Sequence, residues 1–443
     1  MNRKLILRAV AGAALLTAAS ALHAPRAEAA TRKFCYELLF KDDRNDCPVA
    51  GDGGVRRACQ QKNMNFIDAP DGTYTNPVGQ VFEVWDKDAG GVDEYIGTWH
   101  IGNTGTRCVT FEWENAAYSK GEANPDPYIV WRPRVKKGGV SAYVQLENAD
   151  GADSGGVSWR DFALTNCAAG AACSVPNYWL ISTDSSTLRG GRPQILDSAE
   201  HMLSVFGSIM DAGEIRALWP ASGSSTQSRT HFQIEGDAGA GGPGDENRAF
   251  MSQSCAHELG HVLQAQLFEQ DDLVNNCGLN GGGHSITGQE YQSCATTEGF
   301  ADYVAAASMW NPDVNTSSPA RFGFNYETAA PQSNVCASNA GIEGQVARAL
   351  WDLDDANNEA AAGAAVSPAG VGSADAYNAT SVNVAARWDA VPDGTGDEQD
   401  RENDNHGVNM YDYADGPASD FANSATARQT IFAHNCLTSQ DQN

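Results

Sequence analysis

The sequence predicts an α+β protein: antiparallel strands first, then a mixed sheet with helices. Three observations carry this. Short runs of alternating apolar and polar residues crowd the span from Gln80 to Leu146. Past Pro176 the apolar spacing turns helical, with strands interspersed. Inside one helical run, Phe250 to Phe268, stands His257-Glu258-Leu259-Gly260-His261. The expected organisation is a signal peptide over 1–29, a β-sandwich-like domain over 30–175, and a second domain over 176–443 with a helical C-terminal part.

The first segment has the layout of a secretory signal. Arg3, Lys4 and Arg8 precede the apolar run Ala9–Leu22, and Ala27-Glu28-Ala29 offers small residues at the cleavage point. That run is too short to span a bilayer, so membrane insertion is not expected. The whole chain carries 56 acidic against 29 basic residues, a formal charge of −27. Loss of Arg3, Lys4, Arg8 and Arg26 together with Glu28 takes this to −30. So acidic a surface disfavours nucleic acid and anionic lipid and favours cations. Eleven cysteines in an exported chain imply disulfides, and the odd number leaves at least one thiol over. Cys167–Cys173 and Cys277–Cys294 are candidate pairs. Oligomeric state is not legible in the sequence.

Four runs supply the strands of the N-terminal domain: Gln80–Trp85, Cys108–Trp113, Tyr128–Trp131 and Ser141–Leu146. Gly, Asp, Asn and Pro separate them, as between antiparallel strands. Asp86, Asp88 and Asp93 lie in one of these turns, and a second acidic loop runs from Asp393 to Asp404. Carboxylate clusters make Ca2+ a candidate second cation, though the 393–404 loop fits no EF-hand and an acidic turn or loop is the plainer reading of both. In the second domain, Ser198–Met210 has an amphipathic helical pattern, and Ile215–Trp219 and Thr230–Ile234 read as strands. Thr230–Ile234 is the expected sheet edge for pairing with an extended peptide. The helix that follows is expected to begin near Asp245, a good N-cap residue.

Residues four apart share a helix face, so His257 and His261 can reach one ion. Neutral imidazoles suit Zn2+, and Glu258 is placed to act as a general base towards water. A catalytic zinc site uses three protein ligands. Metzincins would place glycine and histidine where this chain has Gln264 and Leu267, which excludes that family. Downstream, Thr297-Glu298-Gly299-Phe300-Ala301-Asp302-Tyr303 opens a helical run. Glu298 and Asp302 share a face, so Glu298 can bind the metal while Asp302 takes the outward N–H of a ligand histidine.

Taken together, His257-Glu-x-x-His261 and Glu298-Gly-Phe-Ala-Asp-Tyr303 resemble the gluzincin peptidases. Thermolysin-like members pair a ligand glutamate with an aspartate four residues on, and zinc aminopeptidases carry an E-G-F-A-x-Y string. The resemblance covers about residues 215–355, including Ala349–Asp354, and implies a zincin-like fold. It also implies zinc ligands His257, His261 and Glu298, general base Glu258, Asp302 behind a ligand histidine, and a peptide or protein substrate. The spacer of 36 residues between His261 and Glu298 is longer than usual in these families. An insertion tied by Cys277–Cys294 would account for it.

Peptide hydrolysis also needs a donor for the tetrahedral oxyanion. Candidates are His406, Tyr411 and Tyr413. His406 ranks first because thermolysin-like enzymes use a downstream histidine, and His284, inside the insertion, ranks last. The expected protein is a secreted zinc peptidase. Its rivals are a non-catalytic surface or adhesive protein with structural zinc, and a zinc hydrolase acting on a non-peptide bond. Intact Glu258 counts against the first, since a structural site has no use for a base.

Overall fold

The computed structural model describes residues 30–35, 38–40, 80–87, 93–100, 108–113, 124–137, 142–147, 157–158, 172–174, 179–181, 191–211, 213–221, 224–235, 252–267, 284–312, 319–321, 324–326, 341–354, 384–385 and 410. The leader, Asp88, Cys167, Cys277, the 393–404 loop, His406, Tyr411 and Tyr413 lie outside the described residues.

Ten strands come first: β1 (Ala30–Cys35), β2 (Leu38–Phe40), β3 (Gln80–Asp86), β4 (Glu94–His100), β5 (Cys108–Trp113), β6 (Pro127–Lys137), β7 (Ala142–Glu147), β8 (Val157–Ser158), β9 (Ala172–Ser174) and β10 (Trp179–Ile181). Helix α1 (Gly191–Phe206) is followed by β11 (Gly213–Ala221), β12 (Ser225–Ser228) and β13 (His231–Glu235). Then come α2 (Ser252–Leu267), α3 (Gln292–Met309), the hairpin of β14 (Ala320–Arg321) and β15 (Phe324–Asn325), and α4 (Glu343–Asp354). The four strand runs read from the sequence are β3, β5, β6 and β7; three match their expected bounds within a residue, while β6 runs six residues beyond the expected end at Trp131.

The largest sheet has the order β12-β13-β11-β7-β6-β3-β4, with β8 paired to β6. Its β4, β3, β6 and β7 are antiparallel neighbours, whereas β11 joins β7 and β13 in parallel. A parallel join needs a crossover, and α1 lies in the connection from β7 to β11. The sheet thus draws strands from both sides of Pro176. Smaller sheets pair β1 with β5 and β9, and β2 with β10.

Alternation explains which faces are covered. In β5, Val109, Phe111 and Trp113 are buried in turn, and in β13 so are Phe232 and Ile234. Helix α1 packs on β6 and β7 through a face that includes Ile195, Ala199, Met202 and Phe206. Helices α2, α3 and α4 pack in succession, with α2 also against β12 and β13. Helix α3 is buried from Ser293 to Met309, which its alanines permit by keeping its neighbours close.

Two glycines set the spacing of these helices. A Cβ at Gly260 would fall 2.9 Å from the Cα of Ala301, and one at Gly299 only 2.6 Å from the carbonyl oxygen of Glu343. No side chain fits at either crossing. Both glycines lie inside the two sequence motifs, so the motifs encode helix approach as well as chemistry.

Cys108 and Cys294 each belong to a disulfide, and Cys35 stands opposite Cys108 in the β1–β5 register. Cys255 keeps a buried thiol that donates to the carbonyl oxygen of Ile195 at 3.3 Å. Of the turn carboxylates considered for Ca2+, the two described ones accept hydrogen bonds from the protein. Asp86 accepts from the Asp126 N–H at 2.5 Å and Asp93 from the Tyr128 hydroxyl at 2.7 Å.

Candidate metal centre

Helix α2 presents His257, Glu258 and His261, and α3 presents Glu298 and Asp302. All five side chains are buried. His257 Nε2 lies 3.1 Å from His261 Nε2 and 3.0 Å from Glu298 Oε2, and His261 Nε2 lies 3.3 Å from that oxygen. With metal–nitrogen bonds of 2.0–2.1 Å, ligand atoms of a tetrahedral zinc site are separated by about 3.3 Å. The three donors match that spacing. Converging lone pairs of two buried imidazoles and a carboxylate repel one another without a cation between them, so the residues fit Zn2+.

The outward side of His257 is fixed by Asp302, whose Oδ1 accepts from Nδ1–H at 2.7 Å. That bond leaves Nε2 as the free lone pair facing the other donors. Arg321 was not anticipated from the sequence. Its Nη1 contacts Asp302 Oδ1 and His257 Nδ1 in the same buried corner. The hairpin that carries it is tied to α2, since Gln253 Nε2 donates to the Ala320 carbonyl at 2.9 Å. No motif surrounds Arg321, and a lone arginine in a short hairpin gives no sequence signal.

Electrostatics of the side chains alone assign distinct roles. Burial, reinforced by Arg321 and His261, pushes His257 down to about 3, so it stays neutral. Burial alone would also lower His261, but Glu298 outweighs it and the net shift is upward. For Glu298, burial raises and the two imidazoles lower, and the imidazoles prevail to hold it well below the usual carboxylate range. Glu258 is pushed up to about 7, chiefly by burial and then by Glu298. A carboxylate poised there can both take and return a proton near neutrality.

Thr226 of β12 reaches this glutamate. Its hydroxyl is 2.8 Å from the Glu258 carbonyl oxygen and 3.3 Å from Glu258 Oε2. The structure corrects one expectation here. The strand read as Thr230–Ile234 is β13, and it is internal, lying between β11 and β12. Among the described strands, β12 forms this edge of the sheet.

His284, ranked last as an oxyanion donor because it lies in the long spacer, stands close to the centre. Its Nδ1 sits 3.5 Å from Glu298 Oε2 and 3.0 Å from Glu343 Oε2. The segment that follows is anchored to the start of α4, where the Gly344 N–H donates to the Ile286 carbonyl at 2.9 Å. Hydrogen bonding to Glu343 raises His284 to about 9, and burial raises Glu290 to about 7.

Comparison with known proteins adds three findings. No curated protein matches the chain significantly. Among solved structures, a 9R-lipoxygenase from Cyanothece PCC8801 aligns over 39% of this chain and 22% of its own, at 16% identity and a TM-score of 0.16. Similarity that low carries no argument about fold or activity. Residues 246–435 match the family model described as the mycolysin C-terminal domain. That span is less than half of the chain, yet it contains every residue of the centre from His257 to Glu343. The match supports a relationship to secreted bacterial metallopeptidases.

Proposed function

We propose that this protein is a secreted zinc peptidase of gluzincin type. The observation that carries the proposal is the convergence of His257 Nε2, His261 Nε2 and Glu298 Oε2 within 3.0–3.3 Å of one another, with Glu258 beside them. His257, His261 and Glu298 hold the metal, and Asp302, its charge balanced by Arg321, fixes the tautomer of His257. Bound there, zinc supplies Lewis acidity towards water and the scissile carbonyl.

The remaining chemistry belongs to the chain. Glu258 accepts a proton from the attacking water and returns it to the leaving amine. Thr226 orients that carboxylate. The edge of β12, unpaired among the described strands, offers backbone hydrogen bonds to an extended peptide, so the substrate runs beside Glu258. His406 serves as the oxyanion donor. In support, the Met410 N–H donates to Thr296 Oγ1 at 3.1 Å, which ties the chain four residues beyond His406 to the helix of Glu298. Residues 1–29 direct export.

The test is casein or peptide turnover by the purified protein and by Glu258→Gln, with zinc measured in both. Turnover should fall by about 100-fold or more while zinc stays bound. Zinc bound with no turnover in either protein would point instead to a structural site.

A further inference from the structure

We infer that His284, Glu290 and Glu343 form a second divalent-cation site beside the first. The inference rests on Glu298 being a ligand of the first cation. One donor atom from each of the three residues lies within 4.8 Å of the others, close enough to share one ion. His284 Nδ1 and Glu343 Oε2 are 3.0 Å apart.

The surroundings point to a ligand. Glu290 is 3% exposed. Its Oε1 accepts from the Ser285 N–H, and its Oε2 meets only the Cys294 sulfur at 3.5 Å. That sulfur is disulfide-bonded and has no proton to give. The Glu290 Oε2 therefore lacks a donor in a buried setting, an arrangement that costs free energy unless something positive meets it. Tyr326, whose hydroxyl is fully buried and without a hydrogen-bond partner, lies within the field of Glu343.

Charge gives the second argument. A dication at the first site is balanced by Glu298 and Glu258, and Arg321 balances Asp302. A protonated His284 offsets only one of the two charges on Glu290 and Glu343, and a dication that takes the place of that proton offsets both. One imidazole nitrogen and two carboxylate oxygens suit Zn2+, Mn2+ or Co2+, whereas Ca2+ seeks six to eight oxygens. Glu298 Oε2 lies between the two donor sets, 3.0 Å from His257 Nε2 and 3.5 Å from His284 Nδ1. Its carboxylate links the two sites.

The test uses the full secreted protein, stripped by chelation and titrated with Co2+ while its absorption and electron paramagnetic resonance are followed. Two equivalents should bind, and the second should alter the spectrum of the first through Glu298. In Glu290→Gln/Glu343→Gln one of the two equivalents should be lost, and in His261→Ala the other. A single equivalent in the unaltered protein would overturn the inference whatever the variants do, as would two equivalents retained in the double variant. If His261→Ala kept both, the proposed peptidase centre would fail instead.

Discussion

Asp302 and Arg321 share one buried corner behind His257, so the carboxylate that accepts from this histidine is itself neutralised by a guanidinium. This relationship converts a hydrogen bond into a charge-balanced clamp. Removing the cation strands a buried carboxylate rather than merely loosening a contact.

Arg321→Met should therefore destabilise the protein by about 3–5 kcal/mol. It should also weaken zinc by about 10–100-fold, the usual effect of disturbing a partner of a ligand histidine. Thermal unfolding and competition with a chelator measure the two. Unchanged zinc affinity would mean that Arg321 does not act through His257.

The metal-stripped protein should show a distinctive pH dependence. Burial lifts Glu258 from 4.5 to about 7, so between those values the folded state holds a proton that the unfolded chain has released. Stability from this site is full below 4.5 and is lost as pH rises through 7, by about 3 kcal/mol. Urea unfolding of the stripped protein against stripped Glu258→Gln isolates the effect, because the glutamine does not titrate. A difference that stays constant from pH 4.5 to 8 would contradict the assignment.

Gly299→Ala tests whether the motif sets helix spacing. The new methyl would meet the Glu343 carbonyl oxygen and the Val346 Cβ, each 2.6 Å away. Helix α3 must then move from α4 and carry Glu298 with it. A loss of about 1–3 kcal/mol, together with weaker zinc binding, is expected from such overpacking. Wild-type melting and zinc affinity in this variant would show the crossing to be looser than described.

The centre was largely legible because helical spacing turns sequence directly into geometry: i and i+4 place His257 with His261, and Glu298 with Asp302. Parts assembled by tertiary contact were not. Arg321 and Glu343 come from separate elements with no local pattern, and His284 looked remote because spacer length says nothing of where a loop returns. The sheet edge was misread for a different reason. β12 is Ser-Thr-Gln-Ser, with no apolar alternation, so the apolar β13 drew attention while the polar strand covered it.

The central claim is the ligand set. Diffraction from zinc-loaded crystals, collected on both sides of the zinc absorption edge, tests it most directly. An anomalous peak bonded to His257 Nε2, His261 Nε2 and a Glu298 carboxylate oxygen at about 2.0–2.2 Å is the expected result. Zinc held elsewhere, with no peak among those three atoms, would contradict it.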